Sequence, residues 1–361
     1  MANEVSPSPS TVVITSNQEL MPSTLKHPGM LLGISAVMHL LVDGLCVCCL
    51  YLMAASSGVV GFVGVFLTYN ILAFMTQPFT GLLVDKMERR HWVLLVSMSL
   101  LSIAVLAASM VVAAGTVKAG MLAVAVLLGF GNSLFHVWGG KQVVITHGND
   151  MPALGLFVST GALGLSLGVV FYSWFLLQAF LLVLCLLAEA YVGMDGRSDR
   201  SARSVRSVRS DRSDRSDRSG GVEIASRYGM GFVLASMAAL VAFVLFRSFT
   251  GELFSSGAGV NKTQVVVLLM GAVAMLGKMA GGWLAKWFGI VPSMVVVLLF
   301  VMVCFVVGGS NLAILLTGIF MTNCTMPVTL YLANVVLEGR EGLAFGILAA
   351  ALIPGYLLAV F

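Results

Sequence analysis

Apolar positions fill this chain in long unbroken runs, separated by short joints of Gly, Pro, Asn, Ser or charged residues. Six runs, near residues 29–54, 58–84, 91–113, 119–141, 152–170 and 172–193, precede a polar break. Five follow it, near 228–249, 264–287, 290–308, 310–336 and 342–361. A helix needs about 20 apolar residues to cross the hydrocarbon core of a bilayer, and the runs are of that order. None alternates apolar and polar residues as a membrane-barrel strand would. The pattern predicts an all-α polytopic membrane protein with eleven spans, six before the break and five after. Residues 1–28 are polar, with Ser-Pro pairs and no basic stretch leading to a cleavage site, and read as a disordered cytoplasmic tail.

Composition agrees with this and excludes the alternatives. The chain is 59% hydrophobic and 10% charged, against about a quarter charged in soluble domains. The net charge of +4 does not argue for nucleic acid, because much of the arginine lies in one tract, DGRSDRSARSVRSVRSDRSDRSDRSG at 195–220. There Arg recurs every third residue from 197 to 218, each time followed by Ser. A three-residue charge period makes no single helical face, and the tract has too few apolar residues for a core. It reads as a disordered cytoplasmic linker over 194–226, joining an N-terminal bundle (29–193) to a C-terminal one (227–361). The six cysteines fall inside apolar runs and are expected to be free thiols, without a disulfide framework or a metal site.

Basic residues alternate between loops. Lys86, Arg89 and Arg90 follow the second span, Lys286 ends the eighth, and Arg340 follows the tenth. Positive-inside counting puts the N-terminus and the even-numbered loops in the cytoplasm, with the protein in the cell's inner (plasma) membrane.

Ionisable side chains inside spans are costly and are candidates for function. His39 and Asp43 lie four residues apart, on one face of the first span. Asn132 and His136 repeat that spacing in the fourth, with Lys141 near its cytoplasmic end. Lys278 lies in the eighth span, Asn323, Pro327 and Asn334 in the tenth. A carboxylate with histidines at this depth suits proton binding, so Asp43 and His39 are the proton-coupling candidates. The bland readings are a helix–helix hydrogen bond for Asp43, a carbonyl partner for each histidine, and snorkelling for Lys278. An anionic substrate would make Lys278 a ligand. The seventh span reads as apolar within the bilayer (Met237, Phe243, Phe246), which suits a substrate with an aromatic or aliphatic part.

Two loops repeat a pattern. Gly81-Leu-Leu-Val-Asp85-Lys86-Met-Glu-Arg89-Arg90 follows the second span, and Gly281-Gly282-Trp283-Leu-Ala285-Lys286 follows the same pattern six spans later. An aspartate at a helix's end can bond the start of a neighbouring helix, where the dipole favours an anion. Gly81, Asp85, Lys86, Arg90 and Lys286 are therefore expected to latch a cytoplasmic gate. The first loop resembles the G-x-x-x-D-[RK]-x-x-x-[RK] signature of the major facilitator superfamily, and the second its degenerate copy, with Ala285 in place of the aspartate. Gly129-Phe-Gly131-Asn132-Ser133-Leu-Phe135-His136 and His39-Leu-Leu-Val-Asp43 resemble runs of fosmidomycin-resistance-type efflux proteins in that superfamily, with Val137 where those have proline.

The resemblance implies two pseudo-symmetric bundles working by alternating access, with the first, fourth, seventh and tenth helices lining a central cavity. On that implication His39, Asp43, Asn132, His136 and Asn323 face the cavity, and Asn132, His136, Asn323 and Lys278 contact substrate. It implies proton-coupled efflux, a drug:proton antiport, with proton-linked uptake or a non-transporting scaffold as alternatives. The superfamily usually has twelve spans, so the expectation is that the last helix is missing here. The expected partners are a small-molecule substrate, protons and membrane lipid, with the protein a monomer and no cofactor. An enzyme is not expected: Ser133 and His136 lack a G-x-S-x-G setting, and no phosphate-binding G-x-x-x-x-G-K-[ST] occurs.

Overall fold

A computed structural model describes residues 28–57, 59–87, 91–114, 117–206, 229–256, 260–308 and 311–360. All regular structure among them is helical, and eleven helices are long and apolar enough to cross a membrane. They are α1 (Pro28–Ser56), α2 (Phe62–Lys86), α3 (His91–Ala114), α4 (Ala119–His147), α5 (Met151–Val170) and α6 (Trp174–Met194) in the first half. The second half holds α7 (Met230–Ser256), α8 (Gln264–Phe288), α9 (Ile290–Val307), α10 (Leu312–Val336) and α11 (Glu341–Ala359). The chain is a multi-pass membrane protein. Backbone helix continues from α6 as far as Arg206, into the arginine tract, since extending an existing helix costs far less than nucleating one. The rest of the predicted linker and the tail before Pro28 lie outside the described residues.

Three spans are interrupted, and each interruption lies beside the centre of the molecule. In α2 a π-helical turn, Ile71–Met75, precedes a fresh helix Gln77–Lys86 that has Pro78 in its first turn. In α10 the helix Leu312–Cys324 stops at Thr325 and restarts as Met326–Val336, with Pro327 in its first turn. Proline is tolerated there because the first-turn N–H groups have no intrahelical acceptor. In α11 a break at Ala351 separates Glu341–Ala350 from Leu352–Val360.

The first half packs around Met38, Leu45, Leu101, Phe135, Trp138 and Phe157, all essentially inaccessible. The second half has a smaller core of Phe254, Val301, Cys304, Leu315 and Ile319. Much of its apolar surface points outward, as with Val291, Leu299 and Val306 of α9, an arrangement suited to lipid. The six cysteines are free thiols, five of them buried. The halves meet mainly where α5 runs along α8 and α2 along α11. Glycines permit the closest approaches: a methyl group on Gly164 would strike the backbone of Leu40, and one on Gly282 the backbone of Met151.

Candidate functional site

Helix spacing brings the intramembrane ionisable groups together. His39 and Asp43 share the inner face of α1, Asn132 and His136 that of α4, and all four are buried. His39 Nε2 lies 2.9 Å from His136 Nε2. Asp43 reaches both rings, with Oδ2 3.3 Å from His39 Nε2 and Oδ1 3.4 Å from His136 Nε2. Asn132 Nδ2 donates to Asp43 Oδ1 at 3.3 Å. The other nitrogen of each ring faces a backbone carbonyl: His39 Nδ1 is 2.6 Å from Phe157 O, and His136 Nδ1 is 3.0 Å from Asn132 O.

Those carbonyls fix the proton inventory. A carbonyl only accepts, so each Nδ1 carries its hydrogen. Two neutral rings of that tautomer would then turn two Nε2 lone pairs on each other and on the carboxylate. One further proton between the Nε2 atoms removes the conflict, giving a shared imidazolium beside a carboxylate. The arrangement can hold a single proton. Gly161 leaves room for it, since a methyl there would strike the Asp43 carboxylate and the His39 ring. The donor atoms of the three residues lie within 4.8 Å of one another, a spread a metal ion also fits. The cationic side chains of Lys278 and Arg247 on the same chamber oppose a divalent ion there.

The cluster forms one wall of a chamber of about 160 Å³ at the centre of the molecule. The chamber continues into a wider cavity of about 610 Å³ that opens between Tyr51, Glu252, Lys262 and Tyr356, at the face opposite the Asp85 loop. Helices α1, α4, α7 and α10 line it, and α2, α5, α8 and α11 contribute as well. Lys278 does not snorkel: its Nζ donates to Val158 O of α5 at 3.2 Å, inside the cavity. Asn323 lines the wide part, with its amide also donating to Ile319 O at 2.8 Å. Asn132 does not line either part; it stands behind Asp43 as its hydrogen-bond donor.

Two cavity residues were not foreseen. The seventh span presents no apolar wall here. Met237, Phe243 and Phe246 face elsewhere, and α7 offers Arg247, Ser248, Gly251, Glu252 and Ser255. Arg247 is 8% exposed. Scanned as a run, α7 is apolar; scanned for single ionisable residues, Arg247 stands out at once. Gln77, fully buried below the π-helical turn, also lines the chamber, and its Oε1 has no hydrogen-bond partner among the described residues. The apolar lining comes instead from Phe74, Leu165, Met326, Leu330, Phe345 and Leu352.

The opposite face is shut. Gly81 packs so tightly on α11 that a methyl group there would strike the Gly342 carbonyl. Asp85 accepts from the first amides of α11, Gly342 N and Leu343 N, both at 2.9 Å, and pairs with Lys141 of α4 at 2.7 Å. In the second copy Ala285 leaves the carboxylate out, and Lys286 binds Asp150 instead, at 2.7 Å. Asp150 caps α5 by accepting from Ala153 N. Asn149 adds a bridge between the halves, donating to Tyr331 O and accepting from Asn334 Nδ2. Lys86 is exposed, and Arg90 lies outside the described residues.

Two helical bundles around a central cavity, apolar for the most part with charged groups in its wall, open at one face and closed at the other, define a secondary transporter of the two-bundle kind. The profile of the Major Facilitator Superfamily matches residues 30–360, and the chain belongs to that superfamily. The fold is similar to the crystal structure of the E. coli fucose:proton symporter FucP (N162A), at 13% identity and a TM-score of 0.60, over 93% of this chain and 90% of that one. FucP in the outward conformation gives 15% identity and a TM-score of 0.63, over 93% and 91%. A bacterial homologue of the iron transporter ferroportin in the outward-facing state gives 14% and 0.53, over 91% and 90%. No curated protein matches the chain in sequence.

Proposed function

We propose that the protein is a proton-coupled antiporter that exports a small molecule across the cytoplasmic membrane by alternating access, with its N-terminus in the cytoplasm. The observation that carries this is the His39–His136 pair over Asp43, whose carbonyl-fixed tautomers call for one shared proton. Lys86, Lys286 and Arg340 all lie at the shut face, which supports a cytoplasmic placement for it. In that orientation the cavity opens outward. A proton entering there occupies the Nε2 pair as substrate leaves. Closure of the outer face and release of Asp85 from α11 then expose the cavity inward, where the proton departs and substrate binds. The resemblance of the two histidine-bearing runs to efflux proteins supports the outward direction.

The test is survival of an efflux-deficient bacterial host across a compound panel, with wild type, Asp43→Asn and empty vector compared at equal membrane abundance. Wild type is expected to confer resistance that Asp43→Asn loses. In proteoliposomes an imposed proton gradient should drive wild-type flux of the compound so found. Gradient-driven flux that persists in Asp43→Asn would sink the coupling assignment, and flux running with the proton would make the protein an uptake system.

A further inference from the structure

Arg247 and Lys278 face the central chamber from α7 and α8, and neither has an acidic partner within ion-pair distance among the described residues. Arg247 is 8% exposed and its Nε is buried without a hydrogen-bond partner among the described residues. Among the described residues Lys278 Nζ has the Val158 carbonyl alone, which offers a dipole and no charge. Among the described residues Asp43 is the one carboxylate on the inner chamber, with Glu252 in the wide part, and it is committed to His39, His136 and Asn132. Counting the shared proton as offsetting Asp43, the inner chamber keeps two positive charges with no negative one. Ions held in a low dielectric without a counter-charge are among the costliest arrangements in a protein, and those inside membranes mark substrate pathways.

Resting on the transport reading above, we infer that the substrate is a small organic anion whose carboxylate, phosphonate or sulfonate group is held by Arg247 and Lys278. The guanidinium is a planar fork suited to two anion oxygens, and the ammonium a point charge beside it. The rest of the molecule lies on Phe74, Leu165, Met326 and Phe345, an apolar wall that favours an aromatic or aliphatic body. The division of labour follows the two halves. Anion ligands sit on the second, proton ligands on the first, so that both occupants bear on the relative position of the bundles.

The experiment uses the purified full chain and three aromatic anions, benzoate, phenylphosphonate and benzenesulfonate, each beside a neutral partner of the same shape such as benzamide. Thermal stabilisation is measured against concentration in wild type and in Arg247→Gln, Arg247→Lys and Lys278→Gln. At least one anion is expected to stabilise wild type saturably while its neutral partner does not. Arg247→Gln and Lys278→Gln should each weaken that response by about tenfold or more. Arg247→Lys should restore part of it. Without ligand, Arg247→Gln should be at least as stable as wild type, because an unmatched charge has been removed. Anions and neutral partners acting alike in wild type would overturn the proposal, as would a full anion response in both Gln variants. Absence of proton-driven flux in wild type, with anion binding intact, would instead count against the coupling scheme alone.

Discussion

At the residue scale the site turns on which atoms can only accept. Phe157 O and Asn132 O fix the histidine tautomers, and the two Nε2 atoms then need a proton that neither helix supplies by itself. A glutamine at either position keeps hydrogen-bonding capacity but carries no titratable proton. His39→Gln and His136→Gln are therefore expected to abolish proton-driven flux while leaving substrate exchange across a membrane without a gradient, read by counterflow of labelled substrate. Asn132→Ala should act differently. It removes a donor to a buried carboxylate, at about 1–3 kcal/mol of stability, visible as a lower melting temperature of the purified protein. Asp43, His39 and His136 were legible because a mid-span ionisable residue is conspicuous and a spacing of four fixes a shared face. The role of Asn132 was not, because spacing puts it on that face without saying that Asp43 stands between it and the cavity. Arg247 was missed for another reason: a span recognised by its mean hydropathy hides one charge among apolar neighbours.

Among the elements, glycine contacts set how far helices can move against one another. Gly81 and Gly342 bring α2 and α11 together with backbone against backbone, and no flexible side chain is there to yield. Gly81→Ala should force this face apart. The expected result is severalfold faster labelling of Thr329→Cys, a chamber residue, by an impermeant maleimide applied from the Asp85 side in inside-out vesicles. Unchanged labelling would mean that α11 slides to accommodate the methyl. The Gly81–Asp85 spacing was readable as a latch, since it puts glycine and carboxylate on one side of a helix end. Its receiver was not readable, because Gly342 and Leu343 are distant in sequence and meet Asp85 only once both bundles have folded.

For the whole molecule, the two copies of the loop motif fasten the shut face by unequal means. Asp85 and Lys141 are buried, with side-chain exposures of 7% and 8%, and the carboxylate also holds two backbone amides. Lys286 and Asp150 are exposed to 47% and 34% and hold each other in solvent. Removing one partner of a buried pair costs about 3–5 kcal/mol, whereas exposed pairs contribute about 0–1 kcal/mol. Asp85→Asn should thus shift the population strongly towards the inward-open form, and Lys286→Gln hardly at all, as read by spectroscopic distances between labels on α2 and α11. Salt screens only the exposed pair effectively. The inequality puts the electrostatic hold of the shut face at the α2–α11 corner, while the α5–α8 corner rests on close packing at Gly282 and on the Asn149 bridge. Raising ionic strength would accordingly leave the molecule shut at both corners, because the bolt that brine can reach is the one that hardly holds.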